Sequence, residues 1–267
     1  MAAPASADHW QAHARQWSRI GGPLRPCAQD VAIMRAILGP APGLGLLLGV
    51  TPELTVLSER LISVERDAAM IERHWLPRGS GQSVRQGDWL ELPLAPDSVD
   101  FASGDGSLTM LRYAGGYARL FGQLYACLRN QATLALRVFA APEWPETPQQ
   151  VADDALRGAI GSFHAFKWRL AMALAGQAGD PDIAVGTIGE AVGRLAPERD
   201  ALAQRAGWPR ADIDTIDAYR GSVAVYSFPT LAQLRCAIPA GFEEIGVFYG
   251  TYELAQCCPI IALRLHK

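Results

Sequence analysis

The stretch LGLLLGVTPELTVL, residues 44–57, constrains the rest of the chain more than any other. Its first seven residues are a continuous apolar run too short for a helix, the pattern of a strand covered on both faces. Pro52 then suits the first turn of a helix, expected over 52–59. A strand buried on both faces needs a layer above it and a layer below, and the flanking sequence supplies them. AQDVAIMRAIL (28–38) carries Val31, Met34, Ile37 and Leu38 at helical spacing and is closed by GPAPG. LISVER (61–66) alternates as a strand, and DAAMIERHWL (67–76) reads as a helix capped by Asp67. Further strands are expected at 82–88, within 98–106 and at 132–140, with a long amphipathic helix over 113–129. Strands alternating with helices from 28 to 140 specify an α/β fold: a doubly wound, mostly parallel sheet with helices on both faces.

The pattern changes after APEWPETPQQ. Residues 150–176 and 187–206 read as helices and 207–221 as a loop. A strand at 224–228, a helix at 230–241 and strands at 242–250 and 257–265 follow. The last two are expected to close the sheet as an antiparallel pair. Ahead of the sheet, DHWQAHARQWSRI (8–20) suggests a helix with Trp10, Trp17 and Ile20 on one side. WSRIGGPLRP (17–26) reads either as a lid or as a plain edge helix with a proline-bounded turn. Three parts result: an N-terminal segment over 1–27, a ligand-binding domain formed by 28–142 with 223–267, and a mainly helical insertion over 143–222.

In such sheets ligands bind at the carboxyl ends of the strands, where strand order reverses. Four expected strands deliver small or acidic residues to that rim: Gly49, Val50 and Thr51; Glu65 and Arg66; Asp88 and Trp89; Asp105 and Gly106. An acid after the second strand is placed to accept from ribose hydroxyls. Asp88 can accept from an adenine amine, and Trp89 can lie against the base. Asp105 can pair with a cationic amine, and Gly49 allows close backbone approach. Glu65 follows Gly49 by 16 residues, near the roughly 20 of a strand–helix–strand nucleotide unit. Each position taken singly also reads as ordinary strand-end or turn chemistry; their register after four successive strands is the stronger signal.

This arrangement resembles the class I S-adenosylmethionine-dependent methyltransferases. LLLGVTPEL stands where that family has its glycine-rich first motif, and LISVERDAAMI resembles the acidic second motif with its helix. VRQGDWLELPLAPDSVDFASGDGSLTML resembles the third and fourth motifs, and GFEEIGVFYGTYELAQCCPIIALRL the final strand pair. The resemblance implies S-adenosylmethionine as cofactor, held by the nine rim residues, and transfer of its methyl group to a small-molecule oxygen or nitrogen. It also implies that the N-terminal segment and the insertion shape the acceptor pocket. The departure is the first motif. The family has an acid at the end of the first strand and several loop glycines, whereas Leu47 and Leu48 here precede a lone Gly49. A non-catalytic binding or scaffold protein on the same fold is therefore the competing class.

Within the insertion, FHAFKWRLAMALA (163–175) is unusual in placing His164, Lys167 and Trp168 within about one helical turn. His164 is a candidate general base, and Lys167, Trp168 and Tyr113 are candidates for acceptor binding, as is Tyr219. The alternative is a packed cap helix built on Phe163, Phe166 and Leu170. Arg25 is placed to reach the cofactor carboxylate.

Other classes find less support. No G-x-S-x-G elbow occurs, and GVTPEL is not the G-x-G-x-x-G of a nicotinamide dehydrogenase. His9 and His13 are four apart without an evident third metal ligand, and the five cysteines have no zinc-site spacing. Those cysteines read as reduced thiols of a cytoplasmic protein. A formal charge of −3 argues against a nucleic-acid partner, and no apolar run reaches membrane-spanning length. MAAPASADHW has no signal-peptide pattern. A homodimer stays open.

Overall fold

The computed structural model describes residues 15–267. His9, His13 and most of the expected 8–20 helix lie outside them; of that stretch, Trp17–Arg19 forms a 3-10 turn. Among the described residues the main sheet has seven strands: β1 (Leu44–Leu48), β2 (Arg60–Glu65), β3 (Gln82–Gln86), β4 (Val99–Asp105), β5 (Leu128–Arg137), β8 (Phe242–Phe248) and β9 (Ile260–Leu265). Their order is β3-β2-β1-β4-β5-β9-β8. β1 to β5 run parallel, and β9 is antiparallel to both β5 and β8. The chain leaves β1 toward β3 on one side and returns to β4 on the other, so the topological switch lies between β1 and β4.

The apolar run at 44–50 explains itself once its two faces are separated. Leu47 packs with Met34, Leu54 and Leu57, beneath helix α1 (Ala28–Leu38) and the 3-10 turn Pro52–Leu57. Leu46 and Leu48 face the other way, toward Leu120, Phe121 and Leu124 of α3 (Gly115–Cys127). Each such leucine removed from water contributes roughly 1.5–3 kcal/mol. The nearby glycines serve packing. A methyl group on Gly45 would come within 2.1 Å of the Phe101 ring. Helix α2 (Ala68–His74) starts as expected, with the Asp67 carboxylate accepting from the Met70 N–H at 2.9 Å.

The insertion holds its own core around helices α4 (Pro148–Leu156), α5 (Phe163–Ala178), α6 (Val185–Leu195), α7 (Arg199–Ala206) and α8 (Arg210–Ile213). Each of its two expected long helices is broken. Gly158 takes a left-handed φ of 72° after α4, and Ser162 caps α5. Pro197 stands between α6 and α7, where it has no N–H to continue a helix. The expected loop at 207–221 contains α8 and a 3-10 turn over Asp214–Tyr219. The strand expected at 224–228 does not join the main sheet. It forms β7 (Val225–Ser227), which pairs antiparallel with β6 (Asp182–Ala184) of the insertion, so the cap reaches past residue 222. Helix α9 (Leu231–Ala237) then leads into β8. No helix among the described residues is long and apolar enough to cross a membrane, and the five cysteines are unpaired.

Candidate functional site

Two adjoining hollows open at the switch point. One, of about 450 Å³, is lined by Glu65, Arg66, Asp88, Trp89, Met110 and Leu111. The other, of about 680 Å³, shares Glu65, Trp89 and Met110 and continues past Gly49, Val50, Thr51, Asp105 and Gly106 toward the cap. All nine rim residues singled out from the sequence therefore meet at one cleft.

Each is fixed locally. Gly49 has φ 96°, a conformation costly for any residue with a Cβ. A methyl group there would stand 3.6 Å from the Trp89 ring and 3.7 Å from a Glu65 carboxylate oxygen. The lone glycine of this loop is thus required by its backbone conformation. The Glu65 carboxylate accepts from the Asp67 N–H at 2.8 Å, and burial raises its pKa. Trp89 donates its indole N–H to the Val64 carbonyl at 2.7 Å, which holds the ring beside the end of β2. Asp88 caps the short turn Trp89–Glu91 through the Leu90 N–H at 2.8 Å. The segment after Thr51 is a six-residue 3-10 turn, not the expected α-helix, so no helix N-terminus with its dipole stands over the loop.

Behind the cleft lies a charge network that sequence reasoning missed. Arg137, fully buried at the end of β5, donates to Asp105 at 2.6 Å and lies 3.3 Å from Asp30 of α1. It also donates to the Pro23 carbonyl at 2.5 Å and to the Tyr252 hydroxyl, which in turn donates to Asp30. Burial pushes the Asp105 carboxyl up to about 6, against the pull of Arg137 and with help from Asp30 and Glu53. Two carboxyl groups share one guanidinium beside the cleft. The legible signal was a single arginine in the apolar strand LALRVF, since a buried charge requires partners.

The residues expected to contact acceptor divide. Trp168 lines the cleft with Phe139 and Tyr226. His164 is buried away from it, with Nε2 2.7 Å from the Arg19 carbonyl, and burial lowers its pKa to about 4. Lys167 points into the cap core, 4.6 Å from the Tyr219 ring centroid, with no carboxylate within 4 Å among the described residues. Burial lowers its pKa to about 7. Tyr113 donates its hydroxyl to the Gln233 carbonyl and stacks edge-on against Tyr117, outside the lining. Arg25 pairs with Glu53. His164 and Lys167 fail for one reason: α5 is apolar on nearly all sides, and such a helix is buried whole.

No family model matches the chain, and no curated protein does. Solved structures do match it in fold. A methyltransferase dependent on S-adenosylmethionine from Methanosarcina mazei is 12% identical with TM-score 0.54, over 91% of this chain and 99% of that one. The 1,6-didemethyltoxoflavin-N1-methyltransferase of Burkholderia thailandensis, solved with its namesake compound and S-adenosylhomocysteine, is 13% identical with TM-score 0.54, over 100% and 92%. The chain has the fold of the class I S-adenosylmethionine-dependent methyltransferases. A Rhodobacter sphaeroides structure named as a zinc-dependent alcohol dehydrogenase also matches, 13% identical with TM-score 0.62 over both whole chains. Among the described residues of this methyltransferase-like chain, no three His, Cys, Asp or Glu side chains converge as metal ligands.

Proposed function

We propose that the protein is an S-adenosylmethionine-dependent methyltransferase whose acceptor is a small molecule held between the cleft and the helical cap. The observation that carries this reading is the meeting of Gly49, Glu65, Trp89 and Asp105, from the ends of four strands, at the switch point. The residues fit the cofactor part by part. Glu65 would take the ribose hydroxyls, Asp88 the adenine amine and Trp89 the base, with Gly49 leaving the backbone open. The acid that the family places after the first strand is absent here, and Asp105, after the fourth, would stand in for it. Its charged form suits a ligand carrying a sulfonium and an ammonium.

The bound donor would supply a methyl group already activated by positive charge. The chain's residues then have to hold and orient the acceptor and exclude water, which alignment alone rewards strongly. Met110, Phe139 and Trp168 give the dry wall, and a protein base is not required. Titration calorimetry with S-adenosylmethionine, and separately with S-adenosylhomocysteine, tests the reading. Micromolar binding is expected for the parent, and binding weaker by about tenfold or more for Glu65→Ala at an unchanged melting temperature. A folded parent that takes up neither ligand would leave the non-catalytic binding protein as the better reading.

A further inference from the structure

The cap end of the cleft differs in character from the strand-end half. Its lining is Trp17, Leu24, Met110, Phe139, Trp168 and Tyr226. Trp168 is gripped by its neighbours: ring centroids lie 5.2 Å from Phe139 at 82°, 5.4 Å from Tyr226 at 61° and 5.4 Å from Phe228 at 89°. It is 3% exposed, and its indole nitrogen finds no acceptor among the described residues. Two other indoles, one in the cleft and one in the cap, are satisfied within the chain. Trp89 donates to the Val64 carbonyl at 2.7 Å and Trp208 to the Ile160 carbonyl at 2.9 Å. A buried donor left without a partner is expected to find one in a ligand or ordered water.

Charge narrows the ligand further. In the cap-side hollow the acids are Glu65 and Asp105, Arg137 is spent on Asp105 and Asp30, Lys167 does not reach the lining, and Arg66 lines only the adjoining hollow. There an anionic acceptor would meet carboxylates with no cation in the described lining to receive it. A cationic one would lie beside the charge of the cofactor itself. The aromatic walls favour a ligand with a π face. Resting on the methyltransferase reading, we infer that the acceptor is an uncharged, planar heteroaromatic molecule bearing a carbonyl or ring-nitrogen acceptor, and that Trp168 positions it through its indole N–H.

The probes are 2-quinolone, which has the flat shape and a carbonyl, naphthalene, which has the shape alone, and quinoline-2-carboxylate, which adds a negative charge. Binding is measured by calorimetry on the full chain saturated with S-adenosylhomocysteine. That saturation is checked first, so loss of the cofactor reading is seen separately. 2-Quinolone is expected to bind, and Trp168→Phe, which keeps a ring and removes the donor, to weaken it about tenfold while leaving naphthalene unchanged. Quinoline-2-carboxylate is expected to bind at least about tenfold more weakly than 2-quinolone. Cofactor-loaded protein that ignores 2-quinolone, or takes the carboxylate equally well, overturns the inference. If the variant does not fold, the assigned Trp168 indole N–H resonance of the parent serves instead. It should shift downfield with 2-quinolone, as a newly bonded donor does, and an unmoved resonance under saturating probe overturns the inference as well.

Discussion

Two glycines four residues apart do different work, and substitution should separate them. At Gly45 the added methyl has no room, because the Phe101 ring lies across the strand at 2.1 Å from its position. Gly45→Ala is expected to destabilise by about 1–3 kcal/mol through overpacking, read as a lower denaturant midpoint with the slope retained. At Gly49 there is room, but φ is 96°. Gly49→Ala is expected to cost about 1–2 kcal/mol in stability and to weaken S-adenosylhomocysteine binding, which Gly45→Ala leaves intact once folded. Asp105 provides a second test at this scale. Its carboxyl titrates near 6, raised by burial and by Asp30 and Glu53 against Arg137, so the charged form that would hold a cationic amine appears as pH rises through about 6. Affinity for S-adenosylhomocysteine should therefore climb between about pH 5 and 7, and Asp105→Asn should abolish that climb. Folding responds with the opposite sign. The native carboxyl holds its proton above the usual 3.8, so this group favours the fold at acid pH and that contribution fades from about 4 to about 6. A flat parent binding profile would remove Asp105 from the site.

The cap helix α5 shows what an element can hide. Its sequence offered His164, Lys167 and Trp168 as a reactive cluster, yet only Trp168 reaches the cleft. Three polar-capable residues about a turn apart are compelling only when the helix has a polar face, and α5 has almost none. Lys167 is then an amine buried for packing, over the Tyr219 ring and short of any carboxylate among the described residues. Its pKa falls from 10.5 to about 7 on burial, so the unfolded chain binds the proton more tightly between those values. Native stability should rise as pH climbs from about 7 to about 10. Lys167→Met should raise the melting temperature at pH 7 by several degrees, at about 2–4 °C per kcal/mol for a domain of this size, and the gain should shrink at pH 10. A gain equal at both pH values would mean that the parent amine is not desolvated. Strand β1 is the contrasting case. Both its faces are apolar, the local pattern and the tertiary environment agree, and it was legible from Leu46, Leu47 and Leu48 alone. Strands β6 and β7, three residues each, are fixed by pairing across 43 positions between Ile183 and Tyr226, which no local period records.

At the scale of the molecule, all three parts of the chain wall one cleft. The sheet rim gives Glu65, Trp89 and Asp105, the cap gives Trp168, and the N-terminal segment crosses between them with Trp17 and Leu24 in the lining. Among the described residues, the ties of that crossing include the Arg19 carbonyl to His164, the Pro23 carbonyl to Arg137, and Arg25 to Glu53. The first two ties end on buried side chains, His164 and Arg137. The third is a side-chain pair about a quarter exposed at each end, which such pairs make worth little to stability, about 0–1 kcal/mol. It is the tie that can open without unfolding anything. Arg25 also lies 5.0 Å above the Trp17 ring and donates to the Trp17 carbonyl at 3.3 Å, so releasing it removes one hold on a residue of the cleft lining. Arg25→Ala and Glu53→Ala should therefore both speed release of S-adenosylhomocysteine several-fold in a stopped-flow experiment, with melting temperatures close to the parent. The double variant should be no faster than either single one, because both changes remove the same tie. If the two effects multiply, each residue touches ligand or lining on its own account; if release is unchanged in all three, the segment is a fixed wall and ligand leaves by another path.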